Sequence, residues 1–376
     1  MTAASTSRSR LAAFLFSPEG WPYLLVPFIP LAIGLELGHA TPVAVFVASA
    51  LGVIPTAALM GRATEELAER AGPGIGGLLN VTFGNAPELI IALFALARGL
   101  HEVVKASLIG SIIGNILLVL GVAMLVGGAG RERQRFDRTM ATSQSAMLLL
   151  AAAALAMPAI FELVEGKGLP RPGAQRVSYD TPVETLSLAV ALILIGSYAF
   201  GLLFSLRTHR DLFNPERTEQ GREGWSVKRS VSMLAVTGVA VGVMSELLVG
   251  SISDAASSVG LSQFFIGAIV VAFVGNAAEH WVAVLVAAKD KMDLAVNIAI
   301  GSSAQIALFV APVLVLVSFV LGPSPMALVF NGFELGAVFL AVLIASHVTN
   351  EGESTWFEGV QLLAVYAVLG LAFLFA

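Results

Sequence analysis

Long apolar runs separated by short polar stretches dominate the sequence. A helix that crosses a lipid bilayer needs about 20 mainly apolar residues, and runs of that kind recur from one end of the chain to the other. They predict eleven transmembrane helices, near 21–38, 42–60, 78–97, 106–128, 140–162, 183–205, 230–250, 262–287, 294–321, 326–346 and 356–375. The predicted fold class is therefore an all-α polytopic membrane protein.

Composition agrees with that class and removes several others. Of the 376 residues 57% are hydrophobic and only 12% are charged, whereas soluble domains carry about 25% charged residues. The chain has no cysteine, which excludes disulfides and thiolate metal sites. Its net charge of −5 comes with no basic patch, so we expect the lipid bilayer, and no nucleic acid, as its surroundings. Nothing in the pattern specifies an oligomeric state.

The placement of basic residues predicts the orientation of the chain. With the N-terminus in the cytoplasm, sixteen of the 21 Lys and Arg residues fall on the cytoplasmic side, as the positive-inside rule requires. The other side holds Arg98, Lys105, Lys167, Arg171 and Arg176. The first residues are basic and then briefly apolar, which we interpret as a cytoplasmic tail and not as a cleaved signal peptide. The compact, Ala- and Gly-rich chain suggests a prokaryotic plasma membrane.

The two halves of the chain are related by an internal repeat. When the sequence is shifted by 191 residues, nine of the 28 positions in 84–111 are identical to those in 275–302. The repeat predicts an N-terminal tail and first helix (1–40), a five-helix repeat (41–205), a cytoplasmic linker (206–229) and a second five-helix repeat (230–376). Since five is odd, the second repeat is inverted in the membrane. Inverted repeats are typical of secondary transporters, whose binding site lies near the bilayer midplane.

Each repeat carries one carboxylate near the middle of an apolar span. Glu88 and Glu279 have no Lys or Arg within their own spans to neutralise them. A carboxylate at that depth faces a cavity, pairs with another group or marks an ion path. Two such groups brought together repel each other unless they are protonated or share a cation. Oxygen ligands suit calcium better than zinc or copper, so the pair predicts one site for which calcium and protons compete.

The residues beside each glutamate supply further ligands. An asparagine three positions earlier shares the helix face of each glutamate. The glycine before each asparagine, with Pro87 in the first copy, favours a helix break that frees backbone carbonyls. The predicted calcium- and proton-binding residues are Glu88, Glu279, Asn85, Asn276, Gly84 and Gly275, and the predicted metal ligands among them are Glu88 and Glu279.

A second set of polar residues follows the first. Its members are predicted as secondary ligands or as part of the ion pathway, and they are Ser111, Asn115, Ser302, Ser303, Gln305, His280 and Glu246. The serines are equally suited to hydrogen bonding between helices. His280 fits either a proton relay or an interhelical hydrogen bond. Glu65 and Glu66, near a span end, are better explained as solvated charges.

These motifs resemble a known family. The stretches GLLNVTFGNAPELIIALFALARG, SLIGSIIGNILLVLG and IVVAFVGNAAEHWVAVLVAAKDKMDLAVNIAIGSSAQIALFVAP are similar to those of the calcium/proton exchanger family, within the cation/calcium exchanger superfamily. The resemblance implies exchange of cytosolic calcium for protons, with Glu88 and Glu279 as central ligands and proton carriers. Asn85 and Asn276 lie beside them. The matches in the second half of each motif are Ser111, Asn115, Ser302, Ser303 and Gln305.

Two other functions remain as alternatives. The sodium-coupled branch of the superfamily typically has a hydroxyl residue where this chain has Ala86 and Ala277, which favours proton coupling but leaves sodium/calcium exchange open. An intramembrane hydrolase would need a general acid and base around a bound water. The sequence has no HExxH and no GxSxG motif, so we expect a transporter and not an enzyme, with calcium as the transported ion and no cofactor.

Overall fold

The computed structural model describes residues 14–173, 178–208 and 224–376, and this part of the chain is almost entirely helical. A 3-10 turn at Trp21–Leu25 precedes the first helix. The helices are α1 (Phe28–Leu37), α2 (Pro42–Gly84), α3 (Ala86–Ala97), α4 (His101–Gly128), α5 (Arg138–Val164), α6 (Thr181–Leu203), α7 (Val227–Val259), α8 (Gln263–Ala288), α9 (Met292–Ser318), α10 (Gly332–Val348) and α11 (Trp356–Phe375). Within the described residues nine helices are long and apolar enough to cross a membrane, and two apolar helices, Trp21–Leu37 and Ala86–Ala97, are shorter. The all-α polytopic class is confirmed.

Helix α2 reverses its direction. Residues eight positions apart lie about 12 Å apart along a straight helix, yet a Cβ placed on Gly76 would collide with the backbone of Ala68. Met60 and Ala86 also belong to one buried cluster, with Phe83 packed against it. The helical stretch therefore forms two antiparallel arms, which agrees with the two separate spans predicted near 42–60 and 78–97.

Besides a π-helical stretch at Phe204–Thr208, directly after α6, three helices contain a wider π-helical turn in their interior. These turns lie at Gly114–Val119 in α4, Ile266–Val271 in α8 and Ile306–Val310 in α9. The first and third are related by the internal repeat. Such turns occur frequently at functional sites, and the first and third begin shortly after Ser111 and Ser302.

The ends of the helices form two separate groups of contacts. At one end, which we call the Arg98 end, Arg98 forms an ion pair with Glu246. At the same end Lys167, which follows α5, forms an ion pair with Asp180, which precedes α6. At the other end, the Arg133 end, Arg133 binds Glu353 at 2.8 Å. A two-residue ladder between Gln134–Arg135 and Glu353–Ser354 strengthens that end. Arg98 and Lys167, which the sequence assigns to one side of the membrane, thus lie at one end, and Arg133, which it assigns to the other side, lies at the other end.

Helices α4 and α9 lie at the centre of the bundle. Of the apolar stretch of α4, 78% is buried inside the protein, and of α9 72%, whereas the value is 17% for α11. The central helices are those that carry Ser111 and Ser302. The peripheral helices leave apolar side chains such as Val368 and Leu371 exposed, as expected of a surface that faces lipid. The predicted tail and linker lie largely at 1–13 and 209–223, outside the described residues.

Candidate ion-binding site

Glu88 lies in the first turn of α3, directly after a helix break. Asn85 separates α2 from α3, and Pro87, which has no backbone N–H, occupies the first turn. The free N–H groups and the positive end of the helix dipole favour a carboxylate at this position. The break predicted for the first motif is therefore present, and it presents Glu88 at a helix N-terminus.

The second motif has no break. Gly275 lies inside α8, which continues through it, and the wider turn of this helix ends at Val271. The prediction of a helix break at Gly275 is wrong because this glycine serves close packing. A Cβ at Gly275 would lie 3.1 Å from Glu88 Cγ, whereas a Cβ at Gly84 would meet nothing within 4 Å. The two glycines, equivalent in the repeat, have different surroundings.

Asn276 pairs with the glutamate of the other repeat. Its side-chain amide donates to Glu88 Oε1, to Ser111 Oγ at 3.0 Å and to the carbonyl oxygen of Ala272 at 2.9 Å. Asn276 is buried with 3% exposure. Asn276 and Glu279 were predicted to share a helix face, but they are not hydrogen-bonding partners. Asn276 instead donates a hydrogen bond to Glu88, across the interface between the repeats.

Ser302 makes the corresponding link on the other side. Its hydroxyl lies 2.9 Å from both carboxylate oxygens of Glu279 and 3.1 Å from Asn85 Oδ1. The Asn85 amide in turn donates to Gln305 Oε1 at 2.7 Å. Asparagine from each repeat therefore belongs to the hydrogen-bonded group around the other repeat's glutamate. The two groups are adjacent, since Gly275, one turn before Glu279 in α8, packs against the Glu88 side chain.

Close contact between α4 and α8 brings Ser111 into the site. A Cβ at Gly110 would overlap the backbone of Ala268, and a Cβ at Gly267 would lie 3.0 Å from the Val103 carbonyl oxygen. Glycine at both positions allows the two backbones to touch. Ser111, next to Gly110, then lies within hydrogen-bonding distance of Asn276.

One polar pair has no counterpart in the repeat. His280 Nε2–H donates to Asn115 Oδ1 at 2.8 Å, and both side chains are buried. The shift of 191 residues places Leu89 and Ile306 at the equivalent positions. Of the two roles predicted for His280, the interhelical hydrogen bond is present in the structure.

Two predicted pathway residues have other partners. The Ser303 hydroxyl donates to the Ala299 carbonyl at 2.9 Å, within its own helix. Glu246 forms an ion pair with Arg98 at the Arg98 end, with its side chain 48% exposed. Neither is hydrogen-bonded to Glu88 or Glu279 in the described part of the chain. Glu66, expected to be solvated, accepts a hydrogen bond from the Trp225 backbone at 2.6 Å.

A pocket extends to Glu88. Its polar lining consists of Glu88, Ser107 and Ser111, and the remainder is small or aliphatic side chains of α3, α4, α8 and α9. Ser107 lies in the first turns of α4, close to the Arg98 end. Among the described residues Glu88 Oε2 is buried with no hydrogen-bond partner. One carboxylate oxygen of Glu88 is therefore available at the pocket.

The chemistry of the site is that of oxygen ligands. Two carboxylates, two asparagine side chains, two serine hydroxyls and Gln305 lie together, and no cluster of three or more His, Cys, Asp or Glu residues is found in the described ranges. A hard divalent cation takes 6–8 oxygen ligands, from carboxylates, amides and water. The same carboxylates can carry protons, since a buried pair of them is stable only when neutralised.

Comparisons with known proteins agree with this chemistry. The family model for the sodium/calcium exchanger protein matches residues 41–207 and 229–375. The "Ca(2+)/H(+) antiporter" of Aphanothece halophytica is 44% identical over 370 residues, which cover 93% of this chain and 95% of that protein. The "Ca(2+)/H(+) antiporter ChaA" of Bacillus subtilis (strain 168) is 42% identical over 355 residues, which cover 93% of this chain and 97% of that protein.

Solved structures have a similar fold. Native YfkE, at 38% identity and a TM-score of 0.79, covers 94% of this chain and 100% of its own. A second structure, described as the H+/Ca2+ exchanger CAX, has a TM-score of 0.70 at 15% identity, covers 96% of this chain and 93% of its own, and is similar in fold. With both halves of the chain matched by one family model, this protein belongs to the sodium/calcium exchanger protein family.

Proposed function

We propose that this protein exchanges calcium for protons across a membrane. The observation that carries the proposal is the meeting of Glu88 and Glu279, one from each inverted repeat, each bound to a hydrogen-bonding side chain of α8 or α9. Relatives with 42–44% identity are named calcium/proton antiporters, which supports the choice of ions. The family is a transporter family and not an enzyme class.

The mechanism we propose is competition for the carboxylates. Calcium binds when both carboxylates are ionised, and its charge equals theirs. Protons replace it by neutralising the same groups, so the emptied site never holds two uncompensated charges in the membrane. Asn85, Asn276, Ser111, Ser302 and Gln305 supply the neutral oxygens. His280 and Asn115 form an adjoining polar pair.

The proposed topology has eleven spans and a cytoplasmic N-terminus. The two arms of α2 count as separate spans, and the second arm continues into α3. The greater number of basic residues then lies at the Arg133 end, which the positive-inside rule assigns to the cytoplasm. The relatives include bacterial proteins, which supports a prokaryotic plasma membrane. In each cycle the site opens first to one end and then to the other.

Sodium/calcium exchange is the second candidate, because the matched family model carries that name. Ala86 and Ala277 place methyl groups, and no hydroxyls, next to Asn85 and Asn276. A sodium site would thus have fewer neutral oxygen ligands. We therefore place proton coupling first.

Vesicle transport tests the proposal. Purified protein is reconstituted into sealed vesicles that contain a calcium-sensitive dye, with the membrane potential clamped. Uptake of calcium driven by a pH gradient without sodium is expected, and uptake driven only by a sodium gradient would overturn proton coupling. Glu279→Gln is expected to abolish uptake while the protein remains folded. Full transport by a folded Glu279→Gln protein would contradict the two-carboxylate mechanism.

A further inference from the structure

Helix α9 carries a polar stripe that leads from the Arg133 end to the ion-binding site. Asp293, Asn297, Gly301 and Gln305 are spaced four residues apart, so each lies beside the next on the helix surface. Asp293 lies in the first turn, and Gln305 accepts the hydrogen bond from Asn85 inside the site. None of the four residues of the stripe is fully buried. The stripe covers about 18 Å of the helix.

Helix α5 faces this stripe with polar groups of its own. The backbone N–H of Asp137, which directly precedes α5, donates to the Asp293 carboxylate. Two turns further along α5, the Gln144 amide donates to Asn297 Oδ1 at 2.6 Å. Gln144 Oε1 is buried and has no hydrogen-bond partner in the described part of the chain. Polar contacts thus join the two helices at two successive levels, and the inner level has one oxygen that is still available.

Gly301 leaves room beside the inner pair. The three atoms nearest to a Cβ at this position all belong to Asn297 and Gln144, and the closest lies at 3.3 Å. The next residue of the chain is Ser302, whose hydroxyl binds the Glu279 carboxylate. Asn297 therefore lies only about 8 Å along α9 from a residue that contacts the site.

The first repeat has no such stripe. The shift of 191 residues gives the equivalents of the four stripe residues and of Gln144 as Glu102, Ala106, Gly110, Gly114 and Leu335. Ala106 is 0% exposed, and a Cβ at Gly110 would overlap the backbone of Ala268 in α8. This face of α4 is therefore closed by close packing, and the polar face belongs to the second repeat alone.

The chemistry of the inner pair suits a calcium ion that has lost part of its hydration shell. Amide oxygens are among the ligands that calcium takes. Because amides do not titrate, they replace water ligands without competing for protons. Being neutral, they also bind more weakly than carboxylates, so an ion can leave them again. We propose that Gln144 and Asn297 form a transient calcium site between the Arg133 end and Glu279, outside the duplicated motifs.

The internal repeat supplies the substitutions that test this site. Gln144→Leu and Asn297→Ala each introduce the residue that occupies the equivalent position in the other half. Ser145→Ala is the matched control, since Ser145 is the next residue of α5 and its hydroxyl lies 3.1 Å from that of Thr349, after α10. The control removes an interhelical polar contact and leaves the stripe intact. The melting temperature of each purified variant monitors folding.

Calcium uptake is measured from each side of the membrane. In the proposed topology, everted vesicles from cells that produce the protein expose the Arg133 end to the outer solution, and right-side-out vesicles expose the Arg98 end. Under a pH gradient, Gln144→Leu and Asn297→Ala are each expected to raise the calcium concentration for half-maximal uptake about two- to tenfold at the Arg133 end. At the Arg98 end this concentration should not rise, and Ser145→Ala should raise it at neither end.

Two outcomes of this assay would overturn the transient site. One is an unchanged half-maximal concentration at the Arg133 end in both folded variants. The other is an equal rise at both ends, which would assign the amide pair to helix packing, because calcium that enters from the Arg98 end reaches the carboxylates without passing the pair.

The absence of cysteine from the chain allows a second measurement. A membrane-impermeant maleimide added from the Arg133 side is expected to label Asn297→Cys and Gln144→Cys. It should not label Ala106→Cys, at the equivalent position of the first repeat. Failure to label both stripe variants while they are folded would overturn the transient site, because no water would then reach the amide pair.

This inference rests on the proposed exchange, and the two can fail separately. Uptake by the unmodified protein, with half-maximal concentrations at the Arg133 end unchanged in Gln144→Leu and Asn297→Ala, would overturn the transient site alone. Labelling of Asn297→Cys from the Arg133 side, with no uptake by the unmodified protein under any gradient, would overturn the exchange and retain a hydrated path along α9.

Discussion

Gly275 and Gly84 provide the most direct test of the site, because they occupy equivalent positions in the repeat but have different surroundings in the structure. A Cβ at Gly275 would lie 3.1 Å from Glu88 Cγ and 3.6 Å from Ile91 Cδ1, whereas a Cβ at Gly84 has nothing within 4 Å. Carbon atoms in favourable contact are about 3.5–4.0 Å apart. Gly275→Ala must therefore displace Glu88 by several tenths of an ångström, and Gly84→Ala displaces nothing.

The size of the effect follows from the cost of that displacement. An extra methyl group in a tightly packed interior costs about 1–3 kcal/mol. If the displacement is borne by the Glu88 side chain, apparent calcium affinity falls about 5- to 150-fold. The gain in helix propensity from Gly to Ala, about 1 kcal/mol in a helix interior, changes the stability of the fold and is measured separately by the melting temperature.

The assay is calcium uptake into sealed vesicles at one fixed pH, with the external calcium concentration varied. Gly275→Ala is expected to require more calcium for half-maximal uptake, and Gly84→Ala is expected to behave like the unmodified protein. Thermal unfolding of both purified variants shows that they are folded. An unchanged calcium affinity in Gly275→Ala would refute the contact between Gly275 and Glu88. Equal losses of affinity in both variants would refute the non-equivalence of the repeats.

Two other substitutions have matched measurements. Ser302→Ala removes a hydrogen bond to the Glu279 carboxylate, which is worth about 1.5–3 kcal/mol. It is expected to lower calcium affinity about 10- to 150-fold. Ser303→Ala loses a bond to a backbone carbonyl and should leave calcium affinity nearly unchanged in the same uptake assay. The hydrogen bond from Arg133 lowers the pKa of Glu353, so this group contributes stability above its unfolded pKa of about 4.5 that is lost as the pH falls through the folded value. Melting temperatures measured across acidic pH should therefore fall more steeply for the unmodified protein than for Glu353→Gln, and parallel curves would contradict the assignment.

Much of the fold could be predicted from the sequence, because bilayer physics leaves few choices. A span must be long, apolar and helical, so the runs of apolar residues locate the helices, and the repeated motif locates Glu88 and Glu279. The reversal in α2 was also visible, since the polar stretch that includes Arg62 and Arg70 separates two apolar runs. These features depend on local composition alone.

The hydrogen-bond partners could not be predicted in the same way. Spacing along one helix suggests that Asn276 and Glu279 share one face, but the crossing of α3, α8 and α9 decides which side chains meet. That crossing depends on Gly110 and Gly275, which allow the backbones to approach. The repeated glycines indicate that these positions have a special role. Glycine, however, is used both for a helix break and for the close approach of two helices, and only the three-dimensional arrangement distinguishes these two roles.

The differences between the repeats are as informative as their identities. The duplicated residues, an asparagine and a serine from each half, belong to the hydrogen-bonded groups around the carboxylates. Other polar residues are not duplicated. His280 and Asn115 form a hydrogen-bonded pair, whereas the equivalent positions in the repeat hold Leu89 and Ile306. Lys105 likewise corresponds to the buried Val296 of the second repeat. Duplication provides a site that two inverted halves share. Divergence around it makes the two halves unequal in polarity, so the two carboxylates, though equivalent in sequence, are held in different surroundings.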